Sequence, residues 1–543
     1  MKKRRIVIAL CIICMFTVSC FGVIRSENKD KSEYIRAATY FSDQWPMTIW
    51  NGEMDTLDVD LKQIKADGFN AIVLLIPWKE FQPCTNPISY NEYALNKLDE
   101  VLSTAKSNDL KVLLRLGYVW DLYNDENEWA AQRFIDILNS KVMFDAWLDY
   151  ARTIYEKSSN YGNYAGAFIT WEDFWPVLDL CYNTDEDIRA TLAKEIGYQN
   201  WVENNYGIAK YNEEYGTNYS VKDQVLLPEK NDICMKAMLE FYDDALNRVL
   251  YKTQKVCPNL SMEVRIESDP VKDVEGNVLF RYSHEETYNC GDSDFVSLMY
   301  RIPMGFTYRG QELTCEEAKA KTNEVLKEFT EELGRKPVFI DQFLYYDNTP
   351  GHESAPHLGT EINDYLESVG DVLYTYSKGY AVWTYRDYRA NMLYNSQFAI
   401  GIEGWKTGGN PRCSIVNDSN VCMLSSGDLL TQTIPGYRNA FDSDIYNLEF
   451  DVIEISQDTQ IEISMGSDKK ILKNDSIKLG MNSVQFAKND SFDISIEVTN
   501  GSITIDNLYL YSYVQNGKIY NQYNEELDCL KSIRLLNKKL SEY

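Results

Sequence analysis

Between residues 36 and 392 the chain alternates eight short apolar runs with amphipathic stretches, and no other feature narrows its fold so far. The runs are Arg36–Phe41, Phe69–Ile76, Leu110–Leu116, Tyr164–Thr170, Leu260–Ile266, Asp294–Tyr300, Lys336–Ile340 and Gly379–Thr384. Between them lie stretches with apolar residues at helical spacing, such as the one from Asp58 to Ala66, with a stop at Gly68, and the one from Leu95 to Leu102. Strand, helix, strand repeated eight times predicts a (β/α)8 barrel. A doubly wound open sheet would usually carry a glycine-rich phosphate loop after its first strand, and none is present. The region 36–392 is longer than the ~250 residues typical of a barrel. Much of the excess falls at about 177–258, an insertion rich in Tyr, Asn and Glu that would overhang the barrel mouth. After Tyr394 helical periodicity stops. Short alternating strands such as Tyr446–Val452 and Ile503–Leu510 predict an all-β sandwich of the jelly-roll kind over 393–514. Residues 515–543 read as a helical tail.

The first residues form a targeting segment. Met1-Lys-Lys-Arg-Arg5 is basic, and Ile6 to Val18 is apolar but too short to span a bilayer comfortably, so residues 1–20 read as an export signal. Thr17-Val-Ser-Cys20 resembles a bacterial lipobox, which would make Cys20 a lipidated membrane anchor. Residues 21–35 are a polar linker. A formal net charge of -28 leaves no basic surface for phosphates, which excludes nucleic acid as a partner. Aromatic residues make up 13% of the chain, suited to stacking against sugar rings. Beyond Cys20 the cysteines are scattered, with no CxxC pair for zinc or redox work, although Cys413 and Cys422 are close enough for a local disulfide. Three histidines (His284, His352, His357) are too few for a His-based triad or a His-rich metal centre.

The chemistry centres on Tyr164-Ala-Gly-Ala-Phe-Ile-Thr-Trp-Glu-Asp-Phe-Trp-Pro176. An apolar run climbs to Glu172 and then breaks into an aromatic turn, placing a carboxylate at the carboxyl end of a strand. In a barrel that end carries the active site. Cleaving a glycosidic bond needs an acid to protonate the leaving oxygen and a second carboxylate to attack or stabilise the anomeric carbon. Trp171, Phe174 and Trp175 surround Glu172 in sequence and would desolvate it, as a proton donor requires.

These residues resemble the retaining (β/α)8 glycoside hydrolases of the clan that includes cellulases, β-mannanases and β-galactosidases. There a Glu ending the fourth strand is acid/base and a Glu ending the seventh is nucleophile. The resemblance implies Glu172 as acid/base, with Trp171 standing where the clan usually has Asn. Lys336-Pro-Val-Phe-Ile-Asp-Gln-Phe-Leu344 is similar to the clan's seventh strand, and lining the two up puts the amide Gln342 at the nucleophile position, with Asp341 before it. Three readings stay open. Asp341 serves as nucleophile through a shift at the strand end. Or another carboxylate substitutes, with Glu267 at the end of the fifth strand the alternative, since alternation puts Glu263, Arg265, Glu267 and Asp269 on one face. Or the site binds glycans without cleaving them. The substrate-binding set expected at the strand ends is Trp78, Glu80, Arg115, Trp120, Trp171, Tyr300, Gln342 and Trp383. Asn395-Ser-Gln-Phe-Ala-Ile-Gly-Ile-Glu-Gly-Trp405 resembles the opening of jelly-roll carbohydrate-binding modules, which implies a structural calcium with no ligands assignable here. The expected function is hydrolysis of a β-linked polysaccharide or oligosaccharide by an exported enzyme without a catalytic cofactor. The alternative is a noncatalytic surface glycan-binding protein.

Overall fold

The computed structural model describes residues 33–45, 47–118, 132–265, 271–272, 278–280, 285–300, 312–332, 336–344, 358–416, 419–434, 445–487 and 492–543. Eight parallel strands close into a barrel: β1 (Ile35–Thr39), β2 (Ala71–Ile76), β3 (Lys111–Leu116), β4 (Tyr164–Ile169), β5 (Leu260–Arg265), β6 (Val296–Met299), β7 (Val338–Phe343) and β8 (Ser377–Val382). Each falls on one of the eight apolar runs. Sequential neighbours pair all the way round, and β1 closes the ring on β8 with Ala37 opposite Ala381.

Strand alternation sorts the side chains. Ala37, Ala71, Val73, Leu113, Phe168, Phe339 and Ala381 fill the barrel interior, together with Phe295 just before β6. Ile72, Leu74, Val112, Leu114, Ile169, Met262, Val264, Leu298 and Ile340 face outward and pack on the helices. Both faces are dry, which is why the strands read as continuous apolar runs. The helices start on side-chain caps where the sequence offers them. Asn91 accepts from Ala94 N at the head of Glu92–Ser107, and Ser140 accepts from Met143 N at the head of Lys141–Ser159. The helix Leu57–Ala66 stops at Gly68, whose φ of +86° favours glycine.

The insertion after β4 builds three short helices, Glu186–Glu195, Tyr198–Asn205 and Ile208–Tyr215, ahead of the long helix Met235–Gln254. Its tyrosines form a small core. The hydroxyls of Tyr198 and Tyr211 lie 3.1 Å apart, as do those of Tyr206 and Tyr215. The aromatic richness of this segment therefore goes into its own packing.

Among the described residues the second unit is a sandwich of ten strands: β9 (Lys406–Gly408), β10 (Arg412–Val416), β11 (Ser419–Ser425), β12 (Leu429–Ile434), β13 (Ile445–Ile455), β14 (Gln460–Met465), β15 (Asp468–Lys473), β16 (Gly480–Ala487), β17 (Phe492–Asn500) and β18 (Ser502–Tyr511). One sheet runs β9-β12-β17-β14-β15 and the other β10-β11-β18-β13-β16. Tyr388–Arg389 pairs with Tyr513–Val514, so the chain leaving the barrel and the chain leaving the sandwich meet. Arg389 fastens this junction through Asp43 at 2.7 Å and Glu449 at 3.4 Å. The closing helix Cys529–Glu542 buries Leu530, Ile533, Leu536 and Leu540 against the barrel, each worth about 1.5–3 kcal/mol if fully removed from water. Its Arg534 reaches the buried carboxylate of Asp67 at 2.8 Å. Among the described residues no helix is long and apolar enough to cross a membrane. The leader and Cys20 lie outside the described residues.

Cys413 and Cys422 face each other across β10 and β11 in direct register, both as free thiols. Oxidised glutathione should join them, releasing two molecules of reduced glutathione, and peptide mapping without reductant should recover the linked pair. The short loop predicts a gain of about 2–3 kcal/mol on loop-closure grounds. Recovery of both peptides unlinked would refute it.

Candidate active site

The carboxyl ends of β3, β4, β5 and β7 bring together one guanidinium and three carboxyl groups. Alternation explains the selection. In β3, Leu113 faces the interior, so Arg115 does too. In β4, Phe168 faces inward, so Thr170 follows it. In β7, Phe339 faces inward, so Asp341 follows it, and the pairing with β8 shifts register between Ile340 and Phe343. That irregularity turns consecutive residues Asp341 and Gln342 toward the same centre while Phe343 returns to the outer layer.

Arg115 is the hub and is 1% exposed. Its Nη2 donates to Glu263 Oε1 at 2.6 Å, to Glu172 Oε2 at 3.0 Å and to Thr170 Oγ1 at 3.0 Å. With its amide oxygen turned to the guanidinium, Gln342 accepts from Nη1 at 2.8 Å and Nη2 at 3.2 Å. The ring of Tyr118 lies over the guanidinium with its centroid at 4.3 Å, and Trp383 lies at 5.9 Å. Burial works against the arginine's charge, yet the carboxylates of Glu263 and Glu172 outweigh it and raise its pKa. The cation is therefore permanent.

A backbone turn sets the Tyr118 ring in place. Gly117 has φ +87° and Tyr118 φ +66°, so two successive residues turn left-handed at the end of β3. A Cβ at Gly117 would collide with Oδ2 of Asp173, the same atom that accepts the Tyr118 amide. The residue after Glu172 thus ties the mouth of β4 to the mouth of β3.

The three carboxyl groups differ in access. The Glu172 side chain is 11% exposed and sits in the helical turn Trp171–Phe174, open to the barrel mouth. Glu263 has no exposure, and its Oε2 accepts from Thr170 at 2.9 Å. Asp341 is 2% exposed, and its Oδ2 accepts from Ser297 at 2.9 Å. Burial pushes Glu263 up to about 8; Arg115 pulls the other way, and Asp341 adds to the rise. Asp341 is raised as well, by burial first, with Arg115, Glu263 and Ser297 opposing.

Of the residues expected from sequence, Glu172, Arg115, Asp341, Gln342 and Trp383 meet here. Two land elsewhere. Trp78 is fully buried in the outer layer, against Trp147 at 5.2 Å and Phe134 at 5.4 Å, with its Nε1 donating to Gln82 at 2.8 Å. Tyr300 also lies in the outer layer, donating to Thr322 of the helix Cys315–Glu332 at 3.2 Å. Ser297 faces inward, so a residue three positions on faces out. Glu80 is 1% exposed and accepts from Asn51 at 2.6 Å. Trp120, Glu267 and the side chain of Trp171 lie outside the described residues. Glu263, Thr170 and Ser297 were not selected from sequence. Alternation puts Glu263 on the same inner face of β5 as the expected Glu267, and that is the one sequence signal that points to it. Among the described residues no group of three or more His, Cys, Asp or Glu side chains is arranged to hold a metal ion.

No family model matches this chain, and no curated protein matches it. Among solved structures it is similar to a variant GH5_18 protein from Bifidobacterium longum subsp. longum in complex with Manb1-4GlcNAc, at 9% identity over 65% of this chain and 70% of that one, TM-score 0.39. It is similar to the exo-beta-1,4-mannosidase Op5Man5 from Opitutaceae bacterium strain TAV5, at 14% identity over 66% and 55%, TM-score 0.39. It is also similar to a GH5_18 protein from Streptomyces cattleya in complex with GlcNAc, at 12% identity over 66% and 72%, TM-score 0.39.

Proposed function

We propose that this chain is an exported glycoside hydrolase that cleaves a β-linked polysaccharide or oligosaccharide by two-carboxylate chemistry with retention. The observation that carries it is the convergence of Glu172 and Asp341, from the ends of β4 and β7, on Arg115 beneath a barrel mouth bearing Tyr118 and Trp383. Glu172, the most open of the three acids, protonates the leaving oxygen and later takes a proton from water. Asp341 attacks the anomeric carbon. Arg115 holds Glu172 through its ion pair and balances the charge on Asp341 as it shifts between enzyme and sugar. Trp383 floors the sugar. The basic and apolar leader supports the export half of the reading, which a mature N-terminus at or near Cys20 would bear out.

The test incubates purified protein with a panel of β-linked polysaccharides and oligosaccharides beside Glu172→Gln. Hydrolysis by the parent and a loss of about 10²–10⁴ in kcat for the variant support the reading. Proton magnetic resonance of the first-formed sugar reports the anomer, and inversion would overturn retention. One observation favours a second reading, a glycan-binding protein without activity. Gln342 occupies the position where the resembled clan carries its nucleophile, and Asp341 is almost wholly covered. Binding by the parent with no product from any substrate would select it.

A further inference from the structure

Three acids and one cation in a dry site leave an excess of negative charge that the buried surroundings do not tolerate. Glu172 has partial access to water; Glu263 and Asp341 do not. Asp341 Oδ1 is buried and receives no hydrogen bond from any donor among the described residues, and Ser297, which donates to the other oxygen of that carboxyl, stands opposite Glu263 where β5 pairs with β6. Two ionised carboxylates so placed in a dry site repel each other; one shared proton turns the repulsion into a hydrogen bond.

We propose that Glu263 and Asp341 form a carboxyl pair holding one proton, carried on Glu263 and donated to Asp341 Oδ1, which makes Glu263 a positioning residue for the proposed nucleophile. One further contact and the difference in burial decide which partner keeps the proton. The Ser297 hydroxyl donates to Asp341 Oδ2, which favours charge there, while Glu263 is the drier of the two. The groups facing the pair are Arg115 from β3, Thr170 and Glu172 from β4, Ser297 from β6 and Gln342 from β7. Arg115 is the single cation among them. The elevation of Glu263 to about 8 agrees with this placement. The catalytic meaning rests on the hydrolase reading: a neutral Glu263 keeps Asp341 ionised and aimed, and its loss of the proton in alkali puts a second charge beside the nucleophile.

The proton is observable without substrate, so failure here and failure of the hydrolase reading are separable. Infrared absorption of protonated carboxyl groups is recorded for the whole protein from pH 5 to 9, for the parent, Glu263→Gln and Asp341→Asn. Asp506, raised to about 7, contributes its own band, so the difference between parent and variant is the readout. A band present in the parent at pH 6.5, lost as pH rises through about 8 and missing from Glu263→Gln, is the expected result. In Asp341→Asn the Glu263 band should titrate at lower pH, which serves as the check should Glu263→Gln not fold. The linkage has a definite sign. The folded carboxyl keeps its proton between its ordinary value of 4.5 and about 8, whereas the unfolded chain releases it, so parent stability falls as pH rises through that window. Glu263→Gln should flatten that slope. An unchanged difference spectrum in Glu263→Gln, or a band in Asp341→Asn that titrates as in the parent, overturns the proposal.

Discussion

Replacing Arg115 by methionine should lower folding stability by about 3–5 kcal/mol at neutral pH, the usual cost of leaving buried ions without their partner. Methionine spans much of the same path and fills much of the same volume, so the loss isolates the charge. Without the guanidinium, Glu263 loses its 2.6 Å partner and Glu172 its 3.0 Å partner, and Gln342 loses both donors. Glu263 already carries a proton, so Glu172 and Asp341 are the charges left stranded, and protonation is the remaining way to relieve them. The destabilisation should therefore shrink as pH falls from 7 to 5, because the folded variant takes up protons that the parent does not. Urea denaturation at both pH values measures this directly. A variant as stable as the parent at pH 7 would show that the hub is not structural. Arg115→Lys should recover only part of the loss, since an ammonium cannot reach Glu172, Glu263 and Gln342 from one planar fork. Any hydrolytic activity should be lost in both, because Glu172 is oriented through this side chain and the charge on Asp341 is balanced by it.

The sequence made the strands legible because a barrel buries both faces, and eight apolar runs separated by helical stretches admit few other folds. It made the ends of those strands only half legible. Period-two alternation correctly sends Arg115 and Asp341 inward from Leu113 and Phe339. The same alternation applied to β6 sends Tyr300 outward from Ser297, against its expected place in the substrate-binding set. Trp78 shows a different limit. It lies two residues beyond the end of β2, after Pro77, where strand parity no longer applies, and its indole packs under the helix carrying Trp147. Glu263 was hidden by depth. Sequence shows that a residue lies on the inner face but not how far below the rim, and the depth follows from how β5 registers against β6, with Glu263 opposite Ser297. The shift between Ile340 and Phe343 was likewise unreadable, because it depends on β8 as a pairing partner. The tyrosine-rich insertion carries no sequence signal that its rings pack on one another, because its aromatic pairs form between separate short helices.

The largest kinetic effect should come from Asp341. Removing a nucleophile that forms a covalent intermediate costs on the order of 10⁴–10⁶ in kcat when no neighbouring group can replace it. Gln342 cannot, since an amide oxygen is a poor nucleophile and here it is engaged by Arg115. Glu263 cannot readily either, being wholly buried and held by both Arg115 and Thr170. Asp341→Ala should therefore be nearly inactive while still binding substrate, and it leaves a gap the size of a carboxylate on the face of the sugar opposite Glu172. A small anion such as azide can occupy that gap and attack in its place. With an activated aryl glycoside, azide should restore turnover and release a glycosyl azide whose anomeric configuration is the reverse of the substrate's, because one displacement replaces two. Asp341→Asn fills the gap with a neutral amide and should not respond to azide. If Asp341→Ala keeps full activity while Glu267→Gln abolishes it, the nucleophile belongs to β5 and the role given to the end of β7 is wrong. The register shift at Ile340 would then serve only to seat Gln342 on the arginine, and Asp341 would be the buried partner that Glu263 needs for its proton.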